Sequence, residues 1–368
     1  MTSATLHSGP GSPRNLDRSP FFDNAKFLLI ALVALGHSWE QVITPHTPVL
    51  RAVHNLVYGF HMPAFILLCG YFSRSFTGRP DQIRRLLTGV LLPYLIFETI
   101  YSFVYHWLRG TELAITPTSP TYLCWFLIAL FLWRLTTPIW KAVRYPLPIS
   151  IVVSLVAGTT LISGDLALPR VLMFLPWFVL GLRLRPEHFA RLRTRTARLI
   201  AVPVFAGVFA LAYWLSPYPS DDWLSSDADN TVLNVSLTQY LLIRLALFAV
   251  TALLVASFLA LVPGRRMWLT GLGAVTLYPY LLHGILLRVA EYYGAFRVVR
   301  EAGVPGVLVL SATAVGVVVL LSTPPVRAVM RPLVEPRLPQ WLVPRTDALP
   351  TPSPAPTAGA EREKTLAG

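Results

Sequence analysis

Residues 22–37 read FDNAKFLLIALVALGH: an Asp and a Lys one turn apart, an unbroken stretch of apolar or small residues, and then a histidine. The apolar run over 22–43 is long enough to cross a hydrocarbon core as a helix, which takes about 20 residues. Working outward from it, further runs follow over 54–73, 84–107, 121–137, 148–163, 169–184, 197–215, 237–262, 268–290 and 303–323, divided by polar or Pro/Gly breaks. The pattern predicts an all-α polytopic membrane protein with about ten transmembrane helices. Composition agrees, because 54% of the residues are hydrophobic and 13% charged, whereas a soluble domain carries about 25% charge.

The net charge of +13 is distributed as topology and not as a nucleic-acid patch. One set of loops holds Arg14 and Arg18, then Arg74, Arg79, Arg84 and Arg85, then Arg134, Lys141 and Arg144, the Arg183 to Arg198 cluster, Arg265 and Arg266, and Arg327 and Arg331. The alternate loops hold few cations, and one of them, SDDWLSSDADN over 220–230, has none. The positive-inside rule then puts both termini in the cytoplasm, which requires an even number of crossings. The expected partner is the lipid bilayer, with no nucleic acid. Cys69 and Cys124 fall inside apolar runs without metal-ligand spacing, and no metal is expected. Residues 1–20 are polar and lack the apolar core of a signal peptide; they are expected to form a disordered cytoplasmic segment. The membrane domain is placed over 21–325. Residues 326–368, basic and then rich in Pro and Ala, are expected to form a disordered cytoplasmic tail.

Ionisable groups inside a bilayer cost several kcal/mol unless paired or hydrated, so each is a functional candidate. Lys26 and His37 stand eleven residues apart, about 16 Å and almost three turns along a helix, and so share a face with Asp23 nearby. His61 in YGFHMP, His283 in LYPYLLHG and Glu98 in LLPYLIFETIY each fall about six to nine residues below the external end of their helices, at the depth of His37. Snorkelling is the plain alternative for Lys26, and a satisfied packing role is the plain alternative for any single histidine. Pro63, Pro279, Gly36 and Gly284 adjoin these histidines, where a helix can bend and free backbone groups to line a cavity.

The ordered set of motifs resembles the membrane acyltransferase 3 family, which includes sugar O-acetylases of bacterial surface polysaccharides and fucose-4-O-acetylase-like proteins. The matching phrases are Lys26 with His37 on the first helix, FHMPAFILLCG (60–70), RRLLTGVLLPY (84–94), CWFLIALF (124–131), PWFVLGLRL (176–184) and GAVTLYPYLLH (273–283). Two departures are visible: Lys26 stands where many members have Arg, and Cys69 where the motif has Ser. The resemblance implies a bacterial cell-membrane enzyme that moves an acyl group, commonly acetyl, from cytoplasmic acyl-CoA to a hydroxyl of a carbohydrate or glycosylated acceptor. In that reading His37 is the general base, with Lys26, His61 and Glu98 completing the catalytic set. Lys26, Arg84 and Arg85 form a basic rim for the acyl-CoA phosphates. His283, Glu40 one turn from His37, and Trp125 belong to the acceptor site. The rival reading from another class is a proton-coupled transporter of a small polar substrate that uses the histidines as a relay.

Overall fold

A computed structural model describes residues 19–160, 162–217 and 221–337, and among these residues the secondary structure is helical, with no strand. Residues 1–18 and the Pro/Ala-rich part of the tail lie outside the described residues.

Pro20 opens α1 (Pro20–Glu40) with its φ already set, and Asp23 sits in the first turn, where a carboxylate meets the positive helix end. Helices α2 (Pro48–Tyr58) and α3 (His61–Phe72) follow as one apolar run broken at Gly59–Phe60, and Phe60 takes a non-helical φ of −140°. The break sets His61 on the first turn of α3. Helix α4 (Pro80–Arg109) widens into a π-turn over Leu87–Leu91 just ahead of Pro93, whose missing N–H and ring bulk such a turn accommodates. It stops at Gly110, which is left-handed with φ +63°.

Next come α5 (Tyr122–Leu135), α6 (Pro146–Ala157), and a pair bent by 57°, whose arms contain α7 (Leu168–Met173) and α8 (Leu175–Arg183). Helix α9 (Arg195–Trp214) is followed by α10 (Leu237–Leu261), which starts on a Ser236/Gln239 capping box. The tight 3-10 segment Trp268–Val275 then turns by 80° into α11 (Leu277–Tyr292), and α12 (Gly303–Leu321) and α13 (Pro324–Val334) follow.

Among the described residues six helices are long and apolar enough to cross a membrane, or up to eight if each bent pair is one span; α5 and α6 are shorter apolar helices. Their order follows the predicted runs. The second run begins at Pro48, ahead of the predicted 54, because the amphipathic turns of α2 carry polar residues that mask its apolar face. The basic start of the expected tail is helical through Val334, with Pro324 and Pro325 in the first turn, where proline lacks no needed donor.

Helix α1 lies inside the bundle, whereas α9 and α12 expose most of their apolar surface. At one end of the bundle, Lys26 meets the Phe72 ring, Arg134 donates to Ser73, and Arg74 donates to the Leu184 carbonyl. At the other end, Arg300 donates to the Gln41 carbonyl and Arg109 pairs with Glu291. Helices α3 and α8 cross backbone to backbone: a Cβ on Gly70 would stand 2.1 Å from the Phe178 carbonyl oxygen, and one on Gly181 2.1 Å from that of Leu67.

Fully buried Asn24 ties the first helix to a late loop. Its amide donates to the Pro263 carbonyl at 2.8 Å and the Arg265 carbonyl at 2.9 Å, and its oxygen accepts from the Thr270 hydroxyl at 2.6 Å. Asn24→Leu keeps the volume and leaves those partners unsatisfied. It is expected to cost about 2–3 kcal/mol, read as a lowered unfolding temperature of the detergent-solubilised protein.

Candidate active site

Helix α1 ends at Glu40 just below the break between α2 and α3, so His37, Glu40, Tyr58 and His61 meet across a short gap. They line a cavity of about 190 Å³ together with Tyr122, Trp125 and Arg170. His37 Nδ1 stands 3.2 Å from Glu40 Oε2 and 3.0 Å from the Tyr58 hydroxyl oxygen. The Tyr58 hydroxyl donates to Glu40 Oε1. A carboxylate only accepts, so the network assigns the proton to His37 Nδ1 and leaves the lone pair on Nε2. His54 stacks on Tyr58 with ring centres 4.1 Å apart and brings Nε2 to 3.9 Å from Glu40.

Two further imidazoles carry the same tautomer. Nδ1 of His61 donates to the Val57 carbonyl at 2.9 Å, and Nδ1 of His283 to the Pro279 carbonyl at 2.7 Å. Each is held by the carbonyl one turn back on its own chain, and each keeps Nε2 as an acceptor. His283 stacks on His37 with ring centres 5.9 Å apart and planes inclined by 29°. His61 reaches the group through Tyr58, at 4.8 Å between rings. As neutral rings, His61 and His283 are suited to accept from a hydroxyl, and not to donate to an oxyanion. The buried donor is Tyr122: its ring is 5.5 Å from that of His37, and its hydroxyl has no hydrogen-bond partner among the described residues. The Arg288 guanidinium lies 3.9 Å over the Tyr122 ring.

The segment between α9 and α10 roofs this cavity, with Leu224 and Ser225 in its lining. Arg170 holds the roof by pairing with Asp227 and donating to the Ser225 carbonyl at 3.3 Å, while its guanidinium lies 5.2 Å over the Trp125 ring. Arg244 donates to the Trp223 carbonyl at 2.9 Å from the other side. In the same segment the Thr231 hydroxyl, and the backbone N–H groups of Val232 and Thr231, hold the Asp229 carboxyl below the ordinary carboxylate range.

The other residues singled out in the sequence lie elsewhere. Lys26 pairs with Asp23 at 2.7 Å and is about 16 Å along α1 from His37. Arg84 and Arg85 are exposed at the start of α4, with Arg85 paired to Asp81 at 2.5 Å. Glu98 is 1% exposed, but its carboxylate is taken by the Thr121 backbone N–H at 2.8 Å, the Thr121 hydroxyl and the Cys124 thiol. It fixes the entry to α5, and with it Tyr122 and Trp125, without lining the cavity itself. Among the described residues no three His, Cys, Asp or Glu side chains are grouped to hold a metal ion.

Sequence reading missed His54, Tyr58, Tyr122 and Arg170. The first two were available from spacing, since His54, Tyr58 and His61 recur on one helical face. Tyr122 opens α5 at a left-handed φ of +50°, and Arg170 lies in the first turn of α7 just after left-handed Leu166 and Ala167, where no local pattern marks them.

A family described as an acyltransferase domain matches residues 19–323. Nodulation protein NolL of Mesorhizobium japonicum is 32% identical over 138 residues, covering 34% of this chain and 36% of that protein. The match therefore spans little more than a third of this curated relative. No solved structure matches the chain.

Proposed function

The chain belongs to the acyltransferase 3 family, and from that premise we propose an integral-membrane O-acyltransferase that uses His37 as general base. The acyl group, acetyl in the simplest case, comes from cytoplasmic acyl-CoA and passes to a hydroxyl of a carbohydrate or glycosylated acceptor. The observation that carries this reading is the clamp on His37: Glu40 and Tyr58 occupy Nδ1, which fixes the ring and leaves Nε2 basic beside a cavity.

The acceptor hydroxyl gives its proton to His37 Nε2 as its oxygen attacks the thioester carbon. Glu40 stabilises the imidazolium that forms. The new C–O bond replaces the C–S bond, and the proton returns from His37 to the departing thiolate. The Tyr122 hydroxyl is the donor suited to the developing oxyanion. His61 Nε2 accepts from a second acceptor hydroxyl, and the Trp125 ring gives a flat apolar face for a sugar ring. At the other end of the bundle, Lys26, Arg84 and Arg85 supply cations for nucleotide phosphates. With α5 and α6 crossing as short spans beside the eight longer ones, ten crossings put both termini in the cytoplasm of a bacterial cell membrane.

Membranes bearing the protein are expected to release free thiol from acyl-labelled CoA and to pass label into a base-labile ester on an added glycoside. Folded protein that does neither across varied acceptors contradicts the proposal. Uptake of the glycoside without thiol release points to a transporter.

A further inference from the structure

A second cavity, of about 280 Å³, lies on the other side of the paired imidazoles. His283 lines it while His37 lines the first cavity, so the two stacked rings form part of the wall between the two spaces. Its lining is almost wholly apolar, drawn from α1, α11, α12 and the short helix Ala295–Glu301. Leu286, 45% exposed, and Val309, 66% exposed, line the cavity and also face outward. The cavity therefore opens on the apolar flank of the bundle.

An apolar cavity of roughly 150 Å³ stays dry and takes up a hydrocarbon the size of benzene, and this one is nearly twice as large. Its polar side chains are Ser38, whose hydroxyl donates to the Ala34 carbonyl, Thr313 and His283. His283 is 2% exposed and its Nε2 is buried with no hydrogen-bond partner among the described residues. Because Nδ1 carries the proton to the Pro279 carbonyl, Nε2 is an acceptor and its missing partner is an O–H or N–H donor. A thioester offers only acceptors at its reacting end, so the tail of the acyl donor does not satisfy this atom. An alcohol does.

We propose that this cavity seats the apolar body of the acceptor: a hydroxyl-bearing amphipathic molecule that enters from the bilayer and presents its polar head to His283 and His37. The inference rests on the acyl-transfer reading and narrows its acceptor from any glycoside to one with a hydrocarbon portion. The chemistry is unchanged. The hydroxyl loses its proton to His37, the C–O bond forms and the C–S bond breaks.

The test uses the full chain in membranes and dodecyl glucoside carrying a terminal diazirine. Illumination is expected to label peptides from 286–299 and 309–317, and this readout needs no turnover. Ala314→Phe, which fills the cavity at a buried position, is expected to abolish that label and to slow transfer to dodecyl glucoside while leaving methyl glucoside unaffected. Should Ala314→Phe fail to fold, Leu310→Ala enlarges the same space and is expected to shift the labelled positions. Label spread evenly over the outward helices, labelling unchanged by either variant, or a diazirine acyl-CoA taking the cavity instead would each overturn the proposal. Cavity labelling without thiol release would leave the binding site standing and remove the acyl-transfer reading beneath it.

Discussion

His37→Ala is expected to lower acyl transfer by about 10²–10⁴-fold, the range a positioned general base contributes. Thiol release and ester formation fall together, because the same proton transfer serves bond making and bond breaking. The Michaelis constant for acyl-CoA stays close to that of the wild type, since the proposed phosphate contacts lie at the opposite end of α1. Glu40→Gln is expected to fall between the two proteins: the amide keeps a hydrogen bond to His37 Nδ1 but no longer balances the charge of the imidazolium. The check is a labelled-acyl assay on protein whose unfolding temperature matches the wild type. A fully active, folded His37→Ala protein would remove the base role, and equal rates in wild type and Glu40→Gln would remove the clamp.

Gly181→Leu is expected to prevent the native crossing of α3 and α8. Even the first carbon of a side chain at Gly181 falls 2.1 Å from the Leu67 carbonyl oxygen and 2.9 Å from the Tyr71 amide nitrogen. Neither is the movable end of a side chain. The helices must separate along their length and give up the close contact that small residues allow in a bilayer, where no hydrophobic force between helices replaces it. Overpacking usually costs about 1–3 kcal/mol, and backbone-on-backbone contact puts this substitution at or beyond the upper end. The expected result is loss of monodisperse protein on size-exclusion chromatography in mild detergent. Gly207→Leu on α9, where an added Cβ meets nothing within 4 Å, is the matched control.

Much of the helical framework was legible because each apolar run must satisfy its own backbone and is bounded by cations or proline. Similar distances from helix ends put His37, His61 and His283 at one level in the sequence, and in the structure His283 stacks on His37 while His37 and His61 both meet the Tyr58 ring. Glu98 shows where depth runs out. It lies at a similar level, but which neighbour takes its oxygens is a lateral question, and Thr121 comes from a loop whose course no periodicity describes. The bends by 57° and 80° fall just ahead of Pro176 and Pro279, and proline marks where a helix can bend without giving the angle. Arg170 carried no signal in the sequence; its pairing with Asp227 depends on the fold of a segment that lacks apolar period.

The Asn24 clamp bears on the order in which this protein comes into being. Asn24 and Thr270 are 246 residues apart, a separation the ribosome takes roughly 10–50 s to cover at ~5–20 residues per second. During that interval α1 has emerged with Asn24, Lys26 and His37 already on it, while the segment that will satisfy Asn24 and the ring that will stack on His37 do not yet exist. The earliest helix is thus the last to be completed. Its polar stripe needs shelter from lipid until the loop over 263–270 and α11 arrive, and a nascent chain shorter than that holds half a site. Addition of the His283 ring to the cluster and satisfaction of Asn24 thus both wait for the same late stretch of chain.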